Sequence, residues 1–288
     1  MKVLKEILSI SIIISITSCA HTINSYYEKM SFKTKSISPI THLNNVQNLI
    51  SNILPENNSY DPSITGGFIV WSDEGTPFNA TVCSNLIVRN LKKSYTSQGL
   101  TETVFKAITS GKSSPSVRQF YNAFVNNVSA TDPNTSTSWK YEKQLSINDF
   151  QQGDLIAIDY MDSDNGCPLD SNPSSYSDSS SATGHMMILE SKSTPTQVTI
   201  PTTNITANRS EITILDSSSS YHGKNDTRYT RPDSISPFIN DNGVGRGTMI
   251  FYSDINTGSI LAYKWSNLSN NTCFPEQRRM VVARLIKF

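Results

Sequence analysis

Residues 78–91 read FNATVCSNLIVRNL, and the one cysteine in this stretch, Cys83, stands just before an apolar, periodic pattern. From there on, apolar residues recur every three or four positions, which predicts an amphipathic helix from Asn79 to about Tyr95. Unpaired backbone N–H groups and the helix dipole favour a thiolate near a helix N-terminus. Cys83 is therefore a candidate nucleophile, and a buried structural cysteine and one half of a disulfide remain the alternatives.

The order of the predicted elements around this helix indicates the fold class. Three further helical patterns cover residues 41–54, 101–111 and 114–128, with Ser114 as the predicted cap of the last. From about residue 150, six short runs rich in β-branched and apolar residues predict strands over 153–160, 184–191, 211–218, 245–254, 258–265 and 280–288. Helices followed by strands predict an α+β domain, with N-terminal helices packed on an antiparallel sheet or half-barrel of about six strands.

The N-terminus has the pattern of an export signal. Lys2 and Lys5 precede an apolar run over residues 7–16, which is shorter than the roughly 20 residues that span a bilayer. The sequence Ile-Thr-Ser-Cys that ends at Cys19 resembles the lipobox of bacterial lipoproteins, which implies cleavage before Cys19 and its acylation. Lipid on Cys19 would anchor the protein in the bacterial cell envelope. Ala20 would favour the outer membrane, facing the periplasm, in a Gram-negative cell. A secreted protein whose signal happens to contain a cysteine is the alternative.

Composition and segment lengths set the predicted organisation. It consists of a signal peptide over residues 1–18, a lipidated tether with a short helix over 19–60, and one folded domain over 61–288. Lys and Arg number 24, as do Asp and Glu, so a net charge of zero argues against a nucleic-acid partner. The segment 161–183 is a long loop rich in Ser and Asp, which predicts either disorder or a function.

Cysteine usage separates one thiol from the others. Three cysteines follow Cys19, an odd number for a chain that is predicted to be exported to an oxidising compartment. Cys167 and Cys273 both lie in polar, loop-like surroundings, so they are the predicted pair if a disulfide forms. Cys83 would then keep a free thiol.

Two polar residues at strand ends complete a candidate catalytic group. His185 opens a predicted strand directly after Gly184, and Asp216 ends the next good strand, ITILD. Adjacent antiparallel strands can place these two side chains next to each other. A carboxylate beside one ring nitrogen orients the imidazole and leaves the other nitrogen for the thiol, which is the arrangement of cysteine hydrolases.

Four short motifs in this order resemble the NlpC/P60 branch of papain-like cysteine peptidases. Residues 82–87, VCSNLI, are similar to the family's D-C-S-G-L-V type segment, and residues 153–155, GDL, match its G-D-L strand. Residues 184–188, GHMMI, are similar to its G-H-V-[GM]-I strand, and residues 214–218, ILDSS, match the strand that ends in a third polar residue. The resemblance covers roughly residues 65–265.

The resemblance implies a papain-like fold and a role for each residue of the triad. Cys83 would be the nucleophile, His185 the base and Asp216 the residue that orients the base. The implied activity is hydrolysis of an amide bond, most simply in a peptidoglycan stem peptide, without a cofactor or a metal. The sequence departs from the family at Val82, where the family has Asp, and at Asn85, where it has Gly. Many members also have His where this chain has Asp216.

Other residues near the predicted cleft are candidates for binding roles. The backbone N–H of Cys83 is a candidate oxyanion donor, and the side chains of Asn79 and Thr81 are further candidates. His222 competes with Asp216 for the third role or contacts the substrate. Two rival functions fit the same residues: an amidase or acyltransferase acting on a non-murein substrate, and a non-enzymatic envelope-binding lipoprotein with an unreactive thiol.

Three other patterns receive no catalytic role. Asp226 and Arg228 are either an ion pair on the rim of the cleft or part of a solvated loop. The glycine-rich run GVGRG at 243–247 precedes a strand and opens no helix, so it is interpreted as a tight turn and not as a phosphate site. The acidic run at 162–166 lacks the glycine and glutamate positions of a calcium-binding EF-hand loop.

Overall fold

An antiparallel sheet of nine strands runs through the part of the chain that the structure, a computed structural model, describes: residues 40–160, 184–229, 242–275 and 278–288. Its strands are β4 (Ser129–Thr131), β5 (Ser138–Gln144), β6 (Leu155–Asp159), β7 (Gly184–Lys192), β8 (Thr196–Thr199), β9 (Thr206–Ser218), β10 (Gly243–Ser253), β11 (Ile260–Lys264) and β12 (Arg279–Lys287). A separate small sheet contains β1 (Asn58–Ser59), β2 (Phe68–Val70) and β3 (Phe78–Ala80). The α-helices of these ranges are α1 (Thr41–Asn52), α2 (Cys83–Tyr95), α3 (Glu102–Ile108) and α4 (Val117–Val125). The fold class is α+β, as the sequence predicts.

The six predicted strands form one contiguous block of the large sheet. The strand order is β11-β10-β9-β7-β6-β12-β5-β4, β8 pairs with the first part of β9, and every pair is antiparallel. The prediction of about six strands was too low, because β4, β5 and β8 add to that block. In β5, buried Trp139 and Tyr141 alternate with charged residues, and those charges made a half-buried strand of period two hard to recognise.

Helices cover one face of this sheet. Leu43, Val46 and Leu49 of α1 belong to the same core cluster as the apolar face of α2 and the inward side chains of β6 and β7. Alternate residues of β6, such as Ile156, belong to a second cluster on the opposite face. The compact unit runs from Ile40 to Phe288, so α1 is part of it and the predicted domain start at residue 61 lies inside the fold.

Two helix starts differ from the prediction. Residues 78–80 form strand β3, paired with β1 and β2, so α2 begins at Cys83 and not at Asn79. Helix α4 is capped by Ser116, which forms a capping box with Gln119, and not by Ser114. The first of these differences moves Cys83 to the first residue of its helix.

The cysteines of the described ranges have two different states. Cys83 carries a free thiol, whereas Cys273 is disulfide-bonded. Cys167, the acidic run at 162–166 and the whole segment 161–183 lie outside the described residues, as do the predicted signal and Cys19. Among the helices that are described, none has both the length and the apolarity needed to cross a bilayer.

Candidate functional site

Cys83 lies at the N-terminus of α2, where the helix meets the large sheet. Its side chain is buried, and its Sγ lies 4.0 Å from the backbone oxygen of Gly184. The first intrahelical hydrogen bond runs from Leu86 N to Val82 O, so the preceding N–H groups of the first turn lie outside the helical ladder. Val82 provides no side-chain cap. The N-terminal end of the helix therefore offers backbone donors beside the sulfur.

His185 lies on β7, directly after the glycine that the sulfur approaches. Gly184 has a φ of +149°, and a Cβ there would overlap the backbone oxygen of Ile158 on β6, so this position requires glycine. His185 Nε2 lies 2.6 Å from Asp216 Oδ2 on β9. Because Nε2 faces this carboxylate, Nδ1 is the ring nitrogen that remains for Cys83. The structure thus brings together the three residues that the sequence singles out.

The electrostatics of His185 link it to both neighbours. Burial lowers the pKa of His185, but the charge of the Cys83 thiolate and the hydrogen bond to Asp216 raise it more, to about 9. The imidazolium form is therefore favoured at neutral pH as long as the thiolate lies beside it. A thiolate next to an imidazolium is the resting state expected of a cysteine nucleophile.

Asp216 is fully buried, and the side chains of His185, His222 and Arg228 contact its carboxylate. Its Oδ2 lies 2.6 Å from His185 Nε2 and 2.9 Å from His222 Nε2. Its Oδ1 lies 2.8 Å from Arg228 Nη2 as an ion pair, without the alignment of a hydrogen bond. Burial raises the pKa of Asp216, yet the charges of Arg228 and His222 and the hydrogen bond from His185 hold it well below its usual value. The carboxylate therefore stays ionised at neutral pH.

The loop 221–229 lies against Asp216 and is not a solvated rim. Asp226 and Arg228 are both buried, and Asp226 binds the guanidinium through both oxygens, at 2.8 Å to Nε and 2.7 Å to Nη2. Asp226 Oδ2 also accepts the backbone N–H of His222 at 2.7 Å. Asp226 and Arg228 therefore form a buried ion pair that stabilises the loop beside Asp216, and they are not part of a solvated loop.

The glycine-rich run at 243–247 is the start of strand β10 and not a tight turn. Gly245 pairs in register with Asp216 on β9. A Cβ at Gly245 would lie 2.5 Å from Arg228 Nε, and one at Gly247 would lie 2.5 Å from the Cβ of His222. Glycines at alternate positions therefore provide a flat backbone surface on which the loop 221–229 can pack. This alternation was the sequence signal for a close approach to β10.

Asn79 and Thr81 do not offer free donors in this structure. Asn79 Nδ2 donates to Asn58 Oδ1 at 3.0 Å and to Ser59 O at 2.9 Å. Thr81 Oγ1 donates to Asn79 Oδ1 at 2.7 Å, and both side chains are fully buried. Their expected role as oxyanion donors is therefore not supported, and they stabilise the segment that leads to the nucleophile. The backbone N–H of Cys83 remains the candidate donor.

Three of these side chains are of the kind that binds metals. The potential ligand atoms of His185, Asp216 and His222 lie within 4.8 Å of one another. A tetrahedral zinc ion with ligands at about 2.0–2.2 Å would hold them about 3.3–3.6 Å apart, whereas Asp216 Oδ2 lies only 2.6 Å from His185 Nε2 and 2.9 Å from His222 Nε2. Arg228 already places a positive charge on the same carboxylate. These short separations favour hydrogen bonds from His185 and His222 to Asp216 over a bound metal ion.

Comparisons with protein-family models, with curated proteins and with solved structures found no match to this chain.

Proposed function

We propose that this protein is a cysteine hydrolase that cleaves an amide bond with the triad Cys83–His185–Asp216. The observation that supports this most strongly is the position of His185. His185 Nε2 lies 2.6 Å from the buried, ionised carboxylate of Asp216. The charge of the neighbouring Cys83 thiolate raises the pKa of His185 to about 9. A structural cysteine has no need of an oriented, charged histidine at its sulfur.

The acylation step follows from these positions. The thiolate of Cys83 attacks the carbonyl carbon of the amide and forms a tetrahedral intermediate. The backbone N–H of Cys83 is the candidate donor to the resulting oxyanion, and each donor of this kind contributes about 3 kcal/mol in known enzymes. His185 gives its Nδ1 proton to the leaving amine as the C–N bond breaks, and a thioester remains.

The deacylation step uses the same groups in reverse. Neutral His185 takes a proton from a water molecule, which attacks the thioester carbonyl. The C–S bond breaks, the carboxylic acid leaves, and the thiolate–imidazolium pair forms again. Asp216 keeps its charge throughout and holds the imidazole with Nδ1 toward Cys83.

The substrate class rests on the resemblance to NlpC/P60 peptidases and on the lipobox. Both support a papain-like hydrolase that is anchored by lipid on Cys19 in the bacterial cell envelope and acts on peptidoglycan stem peptides. The same triad suits an amidase or acyltransferase with a non-murein substrate. A non-enzymatic envelope-binding lipoprotein would have the fold without a reactive thiol.

Digestion of purified muropeptides tests this proposal. We expect the protein to release products with a new amino group and a new carboxyl group, and we expect Cys83→Ala and His185→Ala to release none. Absence of products together with a reactive Cys83 would contradict the murein substrate and favour the amidase or acyltransferase. Absence of products together with an inert Cys83 would contradict the hydrolase altogether.

A further inference from the structure

A second histidine, His222, contacts the same oxygen of the Asp216 carboxylate, Oδ2, that His185 contacts. We propose that His222 is a doubly protonated, positively charged histidine and that, with Arg228, it is a positioning residue that holds Asp216 against His185. The effect on Cys83 rests on the proposed function, whereas the charge of His222 and its hold on Asp216 can be tested without it.

The hydrogen-bond partners of His222 require two donors. Its Nδ1 lies 2.8 Å from the backbone oxygen of Trp265, and its Nε2 lies 2.9 Å from Asp216 Oδ2. Both partners are acceptors, because a carbonyl and an ionised carboxylate carry no proton. A neutral imidazole has a single N–H and would leave one lone pair facing an oxygen. Only the imidazolium satisfies both contacts.

The charge balance of the buried cluster supports the same conclusion. The cluster consists of Cys83, His185, Asp216, His222, Asp226 and Arg228, all of which are buried. With both histidines protonated, three positive and three negative groups alternate along the chain of contacts. With His222 neutral, the cluster would hold one unbalanced negative charge away from water, which is costly.

The ring of Trp265 provides a third contact that suits a cation. It stacks on the ring of His222 with centroids 4.1 Å apart and 30° between the planes. A cation over an indole face is attracted by the ring quadrupole. The same indole meets His185 edge-on, with the ring centroids 4.9 Å apart, so it contacts both imidazoles.

The loop and the strand beneath it fix the position of His222. Asp226 accepts a hydrogen bond from the backbone N–H of His222 and forms an ion pair with Arg228. Gly247 has no side chain and so leaves room for the Cβ of His222. Asp216 Oδ2 is consequently held between two imidazole N–H groups, and Oδ1 lies against a guanidinium. A carboxylate that is held from three directions cannot turn away from His185.

The protonation of the two ring nitrogens of His222 can be measured by ¹⁵N NMR of the histidine side chains in the full chain at pH 7. We expect both ring nitrogens of His222 to be protonated. His42 is the matched internal control, because its Nδ1 lies 2.6 Å from the Tyr95 hydroxyl and its Nε2 lies 2.7 Å from Gly153 O, which suits one neutral tautomer. An unprotonated nitrogen on His222 would overturn the proposal.

The positioning role can be tested by measuring the alkylation rate of Cys83 in His222→Phe and His222→Gln. The control is Thr248→Ala, on the strand β10 that packs against the loop of His222. Phenylalanine keeps the stacking on Trp265 but has no N–H, so alkylation of Cys83 at pH 7 should slow about 10- to 100-fold, the effect of losing one hydrogen bond to a charged group. Glutamine restores one donor and should recover part of the rate. Thr248→Ala should match the wild type, because its side chain points away from the Gly247 face.

Two outcomes separate this inference from the proposed function. If His222→Phe is folded and keeps both the wild-type alkylation rate and the wild-type titration of His185, the positioning role is refuted. If Cys83 is inert in the wild type, the hydrolase proposal fails, and the titration of His185 in His222→Phe alone decides the positioning role. If His222→Phe does not fold, His222→Gln is compared with the wild type by the same readouts, and a wild-type alkylation rate together with a wild-type titration of His185 in that variant refutes the positioning role.

Discussion

Replacing Asp216 by asparagine removes one negative charge from the buried cluster and leaves the side-chain volume almost unchanged. An asparagine has one acceptor oxygen and one NH₂ group, whereas Asp216 presents acceptors to His185 and His222 on one side and to Arg228 on the other. In either orientation, the NH₂ group faces a donor. The substitution therefore breaks contacts that no local rearrangement of the amide can restore.

The size of the effect follows from the contacts that are lost. Each hydrogen bond to a charged group contributes about 1.5–3 kcal/mol, and Asp216 makes two of them in addition to the ion pair with Arg228. Removing one partner of a buried ion pair costs about 3–5 kcal/mol. We therefore expect the free energy of unfolding to fall by about 3–5 kcal/mol. At about 2–4 °C per kcal/mol for a domain of this size, the Tm should fall by about 6–20 °C.

Thermal unfolding followed by circular dichroism at pH 7 measures this change. The matched control is Asp61→Asn, since Asp61 is only partly buried and its carboxylate accepts hydrogen bonds within its own turn, from Ser63 and the Ile64 backbone, so its Tm should stay near the wild-type value. Because the pKa of Asp216 is held well below its usual value, its contribution is present above about pH 4 and is lost as the pH falls further. The gap between wild type and Asp216→Asn should close in that acidic range. A Tm for Asp216→Asn within about 2 °C of the wild type at pH 7 would refute the tightly paired cluster.

Buried His42 predicts sensitivity to acid. Burial lowers its pKa to about 4 against an opposing hydrogen bond, so the unfolded chain binds a proton near pH 6.5 that the folded chain does not. Stability should fall by about 3 kcal/mol between pH 6.5 and 4, and urea unfolding of His42→Gln should lack that fall; equal slopes would contradict the assignment. Replacing Cys83 by serine removes a charge that raises the pKa of His185 to about 9, so an NMR titration should show a lower midpoint, and an unchanged one would mean that the thiolate has no influence. Ser217 Oγ donates to the backbone oxygen of Thr81 at 2.6 Å, so Ser217→Ala should cost about 1–3 kcal/mol in chemical unfolding, and no measurable loss would contradict the bond.

The central strands and the proximity of His185 to Asp216 could be predicted because their signals are local. Runs of β-branched residues mark the six strands of the contiguous block, and Gly184–His185 and Asp216 fall at strand ends on neighbouring strands. The start of α2 was harder to place, because Val82 gives no capping signal and residues 78–80 are drawn into a strand by β1 and β2. Tertiary pairing decided that boundary.

The support behind Asp216 could not be predicted from local patterns. His222, Asp226 and Arg228 lie in a polar loop whose composition is typical of an exposed segment, yet they are buried. Their burial depends on Gly245 and Gly247, which are distant in sequence and make room on β10. The alternate spacing of those glycines is the one signal that could have indicated a close approach, but the run was interpreted as a tight turn.

The rate of Cys83 alkylation by iodoacetamide as a function of pH tests the central claim most directly, with His185→Ala measured beside it and Cys83→Ala as the background. Cys83 is only 4% exposed, and restricted access scales the rate at every pH, so the shape of the profile is the readout. We predict a rate that stays high well below pH 8 in the wild type and loses this behaviour in His185→Ala, as a thiolate–imidazolium pair requires. A rate that stays low until pH 8–9, the range of an ordinary cysteine, and is unaffected by His185→Ala would contradict the account and leave Cys83 as a structural residue.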